Sequence, residues 1–331
     1  MEGIVHMENV RLDKNALEGH KITVIVPCYN EQDSLPYFYS ELQNVIKEMG
    51  TLDFELLFID DGSKDNTLEK IMDIEQGNQT VSYISFSRNF GKEAAICAGL
   101  RNAKGEYVAV MDADLQDPPS LLPEMFRLVS EEGYDCAAAR RTTRKGEPFI
   151  RSVFARMFYR IMEHISQANM VDGARDYRLM NRKFVDSLLE IGEYNRFSKG
   201  LFGWVGFKTK WVEFDNVERI AGKTKWSFWK LFHYSMEGII AFSSIPLALS
   251  SFFGILSFAA AFIFLFFVII RRLFFGDPVA GWASIVSIIL FIGGIQLFCM
   301  GILGQYLSKT YLETKKRPIY IVRESNVKEL K

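Results

Sequence analysis

Three aspartates crowd into six positions of the stretch YVAVMDADLQDPP, residues 107–119: Asp112, Asp114 and Asp117. An apolar run leads straight into them. In an extended chain residues two apart share a side, so Asp112 and Asp114 present their carboxylates together where a buried strand ends. Like charges placed so closely raise each other's pKa unless a cation lies between them. Mg²⁺ or Mn²⁺ meets that need, because hard divalent ions take oxygen ligands, commonly one or two carboxylates completed by substrate phosphates. The same residues also suit a turn, since Asp and the following Pro118 and Pro119 favour one, and D-x-D is a short motif. The stretch alone leaves both readings open.

The elements that would position these groups repeat along the chain. After a tail over residues 1–20, the apolar runs ITVIVP, FELLFID, VSYISFS, YVAVMDAD and YDCAAAR alternate with helical patterns from about Gln32 to Met49, from Asp65, over KEAAICAGLRNA and from about Pro119. That alternation predicts an α/β fold with a parallel sheet. Ligands of such sheets bind beyond the carboxyl ends of the strands. The polar motifs fall there: Pro27 to Glu31 after the first strand, Asp60 to Ser63 after the second, Arg88 to Lys92 after the third, the aspartates after the fourth. The chain has neither G-x-G-x-x-G nor G-x-x-x-x-G-K-[ST], which argues against a dinucleotide oxidoreductase and a P-loop NTPase. A nucleotide can still bind through Asp60 or Asp61 to ribose or base, through Tyr29 to the base, and through a metal on Asp112 and Asp114 to the diphosphate.

The segments VIVPCYNEQDSLP, FIDDGSKDNT, SRNFGKEAAICAGL, MDADLQDPP, RDYRLMNR and RIAGKTKWS, in this order, resemble glycosyltransferase family 2, and within it the polyprenyl-phosphate glycosyltransferases. The resemblance spans roughly residues 21–323. It implies a GT-A (Rossmann-like, mostly parallel) catalytic domain and inverting transfer of one sugar from a nucleotide-sugar to a polyprenyl phosphate, with UDP-glucose or UDP-N-acetylglucosamine as favoured donors. Carried over position by position, Pro27, Tyr29 and Glu31 match the nucleotide pocket, with Lys92 near it, and Asp61 the nucleoside-binding aspartate. Asp112, Asp114 and Gln116 match the metal and donor-phosphate motif, Arg219 and Lys223 the basic pair that grips phosphates, and Arg140 and Arg151 the acceptor-phosphate site. Asp176 matches an aspartate proposed as base, with Asp172 close by. The acceptor is itself a phosphate, already ionised at neutral pH, so Asp176 is expected to orient groups more than to abstract a proton.

The formal net charge of −1 conceals a split, because no charged residue occurs from Gly238 to Ile270 or from Val279 to Ser308. Each run exceeds the twenty or so apolar residues that cross a bilayer. The expected layout is a tail over 1–20, the GT-A domain over 21–225, an interfacial helix over 226–243, two transmembrane helices at about 245–270 and 282–307, and a cytoplasmic segment over 309–331. The N-terminal stretch lacks the apolar core of a signal peptide, and Lys223, Lys225 and Lys230 before the first span match Lys309, Lys315, Lys316 and Arg317 after the second. Both predict that the catalytic domain and both termini face the cytoplasm. Cys28, Cys97, Cys136 and Cys299 form no paired motif, in keeping with a reducing compartment. Expected partners are the nucleotide-sugar, the lipid phosphate and the bilayer, with no nucleic acid; the resemblance also implies a homotetramer. Two rivals stand beside this reading. A processive polysaccharide synthase would bring a Q-x-x-R-W motif and more membrane helices, and a silent nucleotide-sugar-binding scaffold would bind without turnover.

Overall fold

A computed structural model describes residues 19–50, 52–142, 171–215, 236, 238–275 and 281–330. The described chain divides into two compact units, one formed up to Ser235 together with Pro318–Lys331, the other by Met236–Arg317.

The first unit is built on one eight-stranded sheet of order β7-β5-β6-β4-β1-β2-β3-β8. Its central strands, β1 (Lys21–Cys28), β2 (Asp53–Asp60), β3 (Val81–Phe86) and β4 (Tyr107–Val110), pair in parallel. They read as continuous apolar runs because both faces of a parallel sheet are covered. On one face lies α1 (Leu35–Met49), which buries Leu35, Phe38, Leu42, Val45 and Met49 at helical spacing and has a proline in its first turn. Beside it, α4 (Leu122–Ser130) follows a 3₁₀ turn at Pro119–Leu121 and buries Met125, Phe126 and Val129. α2 (Thr67–Gly77) connects β2 to β3. The opposite face is covered by α3 (Lys92–Asn102), which lies so close to β1 that a Cβ at Gly99 would run into the Ile25 side chain.

Three strands were not apparent from the apolar pattern. β6 (Ala174–Asn181) runs antiparallel between β4 and β5 (Cys136–Arg141), and β7 (Thr209–Phe214) lies parallel outside β5. α5 (Arg182–Glu190), capped by the Asn181 side chain on the Phe184 N–H, and α6 (Ser198–Trp204) separate β6 from β7. The third, β8 (Val322–Ser325), adds antiparallel to β3. Asn326 secures it by accepting the Tyr83 N–H at 2.7 Å and donating to the Val81 carbonyl, and Tyr320 stacks on Phe86 at 4.9 Å.

The second unit consists mainly of α7 (Ile245–Phe275) and α8 (Trp282–Thr314), 31 and 33 residues long. At 1.5 Å per residue either exceeds the ~30 Å hydrocarbon core. Within them, Ile245–Phe267 and Phe291–Thr314 are apolar enough to cross a membrane and are not buried. Ser250 and Cys299 exchange side-chain-to-carbonyl hydrogen bonds at 3.5 Å between the helices, and the Tyr306 hydroxyl donates to the Ser243 carbonyl at 2.6 Å. Of the expected interfacial helix over 226–243, residues 226–235 and 237 lie outside the described residues; 238–242 are helical.

One glycine ties the fold to the site. Gly62, after β2, has φ +64°, and a Cβ there would collide with the backbone of Arg88 in the loop after β3. The left-handed conformation alone costs an L-residue about 1–2 kcal/mol. Gly62→Ala is therefore expected to destabilise the chain by at least about that amount and to part the two loops, measured as a lower unfolding temperature in detergent.

Candidate active site

The loops after β1, β2 and β3 are bound to one another through side chains. The Asn30 N–H donates to Ser63 Oγ at 3.0 Å, and Asn30 Oδ1 accepts the Lys64 N–H at 2.8 Å. The Glu31 N–H donates to Thr67 Oγ1, and its carboxylate accepts the Ser34 hydroxyl at 2.7 Å. Pro27 and Tyr29 stand half-buried beside it. Asp60 is fully buried and braces the turn, accepting the Ser63 N–H at 3.0 Å and the Ser85 hydroxyl at 2.8 Å. Asp61, 3 % exposed, accepts the N–H of Phe90 at 2.6 Å and of Gly91 at 2.9 Å, one on each oxygen. Burial lifts its pKa to about 6 against the pull of those two amides. Cys28 is buried and its thiol pKa is pushed well up, which suits a packing role and not a nucleophile.

The strand preceding the aspartates is shorter than the apolar pattern suggested. β4 ends at Val110, so Asp112 and Asp114 stand in a loop, yet burial still alternates there: Asp112, Asp114 and Gln116 are partly open, Ala113, Leu115 and Asp117 buried. Leu115 holds φ +57° between them, a left-handed turn unusual for a leucine. Lys92, the first residue of α3, places its Nζ 2.7 Å from the Asp112 carboxylate and 2.5 Å from that of Asp176 on β6. Burial alone would lower the Lys92 pKa, but the two carboxylates outweigh it and hold it well above the lysine range. Burial likewise would raise Asp176, yet Lys92, then Lys199, keep it well below the carboxylate range. Asp176 is thus held as a carboxylate.

Asp117 differs from its two neighbours. It is fully buried and pairs with Arg175 at 2.6 Å, while its second oxygen has no hydrogen-bond partner among the described residues. Burial lifts its pKa to about 6, opposed by Arg175. The alternation of β6 explains the division. Arg175 and Tyr177 face the loop of residues 117–119, Tyr177 donating to the Pro119 carbonyl at 3.3 Å, whereas Asp176 turns to Lys92 on the other face and Arg178 stacks over Phe202 at 3.4 Å. Arg175, Arg178 and Lys199 were not singled out from the sequence; for the two arginines the period of two within RDYRLM was the available signal. Arg140 donates to the Asp172 carbonyl at 3.1 Å and pairs with Glu213 at 3.3 Å. Arg151, Arg219 and Lys223 lie outside the described residues.

The donor set fits a hard divalent cation, since the carboxylates of Asp112 and Asp114 and the amide oxygen of Gln116 belong to the open positions of the loop. Among the described residues no three His, Cys, Asp or Glu side chains converge as a complete metal cage.

A glycosyl transferase family 2 profile matches residues 23–189. The chain belongs to this family. CsbB of Bacillus subtilis (strain 168), a glycosyltransferase by name, is 44 % identical over 306 residues, 92 % of each chain. The prophage bactoprenol glucosyl transferase homolog of Escherichia coli (strain K12) is 39 % identical over 92 % of this chain and 98 % of its own, and the bactoprenol glucosyl transferase of Shigella phage SfII 38 % over the same shares. Among solved structures, glucosyl-3-phosphoglycerate synthase from Mycobacterium tuberculosis, in complex with Mn²⁺, UDP-glucose and phosphoglyceric acid, superposes with a TM-score of 0.51 at 17 % identity, covering 72 % of this chain and 84 % of that one. It shares the fold. The glycosyltransferase domain of this family 2 member is GT-A-like, a mostly parallel mixed sheet.

Proposed function

We propose that this glycosyltransferase moves one glucose from a nucleotide-sugar to a polyprenyl phosphate at a membrane surface, with UDP-glucose the favoured donor and undecaprenyl phosphate the favoured acceptor. The observation that carries the reading is full-length similarity to proteins named bactoprenol glucosyl transferases, at 37–39 % identity over nearly their whole length. In this reading Asp112, Asp114 and Gln116 hold Mg²⁺ or Mn²⁺, which as a Lewis acid would offset the charge growing on the departing diphosphate. Lys92 fixes the direction of the Asp112 and Asp176 carboxylates. Asp176 orients the approach and need not take a proton, because the lipid phosphate is already an anion. Pro27, Tyr29, Glu31 and Asp61 form the nucleoside side of the site. Arg219 and Lys223 serve the donor phosphates, and Arg140 and Arg151 the acceptor phosphate.

Two apolar helices suit a lipid acceptor. The chain before them and the chain after them belong to one compact unit with one sheet, which supports a topology in which both ends of the helix pair leave the bilayer on the catalytic side. The basic residues flanking the spans favour the cytoplasm as that side. A tetramer is the proposed assembly; a mass of four copies by light scattering of the solubilised protein checks it.

The test incubates purified protein in nanodiscs with undecaprenyl phosphate, Mg²⁺ or Mn²⁺ and a panel of nucleotide-sugars, reading lipids by mass spectrometry. One hexose on the lipid phosphate, lost with EDTA and restored by excess Mn²⁺, is the expected product. Chains of several sugars would favour a processive synthase, and nucleotide binding without any product a silent scaffold.

A further inference from the structure

We infer that Lys199 is a further substrate-binding cation of this site, one that takes an oxygen of a substrate phosphate. The inference rests on the transfer reading above. It begins with how α6 is held. At its start, the Ser198 N–H donates to Glu93 at 2.9 Å, the Ser198 hydroxyl bonds the same carboxylate, and Glu93 directly follows Lys92. One turn later Phe202 lies 3.4 Å beneath the guanidinium of Arg178, two residues beyond Asp176 on the same face of β6. Lys199 and Phe202 are three apart and share a helix face. One anchor ties α6 to the residue after Lys92 and the other to the residue two beyond Asp176; Lys199, between the two anchors in sequence, is near enough for its charge to act on Asp176.

The other cations near these carboxylates are committed. Lys92 spans Asp112 and Asp176, and Arg175 holds Asp117. Arg178 is 3 % exposed and donates to the carbonyls of Arg175 and Asp176. Lys199, by contrast, is partly open to solvent and has no ion pair or hydrogen bond among the described residues. A lysine ammonium carries three donors and acts as a point charge suited to phosphate oxygens. Fixing one beside a site whose two substrates are both anionic costs side-chain entropy, which a ligand bond offsets.

The ligand chemistry is a phosphate oxygen, supplied either by the nucleoside diphosphate or by the lipid phosphate. The experiment compares wild type, Lys199→Gln and Lys199→Arg in nanodiscs, with UDP binding measured by calorimetry in Mn²⁺ and undecaprenyl-phosphate binding by native mass spectrometry, alongside KM for each substrate. A charge-assisted hydrogen bond is worth about 1.5–3 kcal/mol, so the Gln variant is expected to weaken one ligand by about tenfold to a hundredfold, with Arg restoring most of it. Loss on UDP assigns the diphosphate, and loss on the lipid assigns the acceptor. Unchanged binding of both in a folded Gln variant overturns the inference. So does a loss that Arg fails to restore and that a fall in unfolding temperature accompanies. If wild type makes no lipid product, the transfer reading falls, while the two binding measurements still decide Lys199.

Discussion

Lys92→Met is expected to lower glycosyl transfer by two to three orders of magnitude while leaving the protein folded. Methionine keeps the length and the apolar stem, so the loss isolates the charge. In wild type a single ammonium lies within 2.7 Å of both Asp112 and Asp176. Without it the two carboxylates repel each other, and Asp112 loses the contact that fixes its direction. A misplacement of about 1 Å at reacting groups can cost a hundredfold, and every 1.4 kcal/mol of lost transition-state stabilisation is a further tenfold. The folding penalty is smaller than for a fully buried pair, because the Lys92 side chain is 41 % exposed and the released carboxylates reach solvent. The pH–rate profile provides the specific signature. Lys92 is the main charge holding Asp176 below the carboxylate range. Its removal lets that pKa rise, so the acidic limb of the profile moves to higher pH in the variant. A variant with wild-type kcat and an unmoved acidic limb would show that the pair is structural.

The same ion pair shows where sequence reading reaches its limit. β1 to β4 were legible because buried parallel strands are continuous apolar runs, and the loops at their carboxyl ends follow from that topology. β6 was not, since Ala174–Asn181 carries Arg175, Asp176 and Arg178, charges that enter a sheet only because each finds a partner remote in sequence. Lys92 and Asp176 are 84 positions apart, Arg175 and Asp117 58. No local spacing encodes such pairs. β8 is four residues long and joins the edge of the sheet from beyond the apolar helices; the run Ile319–Val322 is a local strand signal, but nothing local names β3, more than 200 positions earlier, as its partner. Among the aspartates, spacing drew Asp112, Asp114 and Asp117 into one cluster, and burial separates them: two partly open, one enclosed against an arginine. The family motifs marked candidate positions; the pairing that sets the charge of Lys92, Asp117 and Asp176 came from tertiary structure.

Arg175→Met is expected to cost more stability than either Lys92→Met or Gly62→Ala. Asp117 is fully buried, one of its oxygens has no partner among the described residues, and Arg175 is its ion-pair partner at 2.6 Å. Removing one member of a buried pair typically costs about 3–5 kcal/mol, because the other charge is left uncompensated. Asp117→Asn is expected to cost less, since the amide oxygen still accepts from Arg175, and the guanidinium left without a counter-charge is 23 % exposed whereas the Asp117 carboxylate is fully enclosed. The pH dependence separates the two. With its pKa lifted to about 6, folded Asp117 binds a proton that the unfolded chain has released above about pH 4. Its stabilising contribution is therefore complete below pH 4 and is lost as pH rises through 6. Asp61, also lifted to about 6, acts in the same direction, and Asp176, held low, in the opposite one, losing its contribution as pH falls. In Arg175→Met the opposing cation is gone, the Asp117 pKa moves up again, and the decline extends to higher pH. In Asp117→Asn that part of the decline disappears. Unfolding temperatures of the three proteins in detergent from pH 5 to 8 should accordingly diverge, Arg175→Met falling most steeply and Asp117→Asn least; parallel curves would mean that Asp117 is ionised in the fold throughout that range.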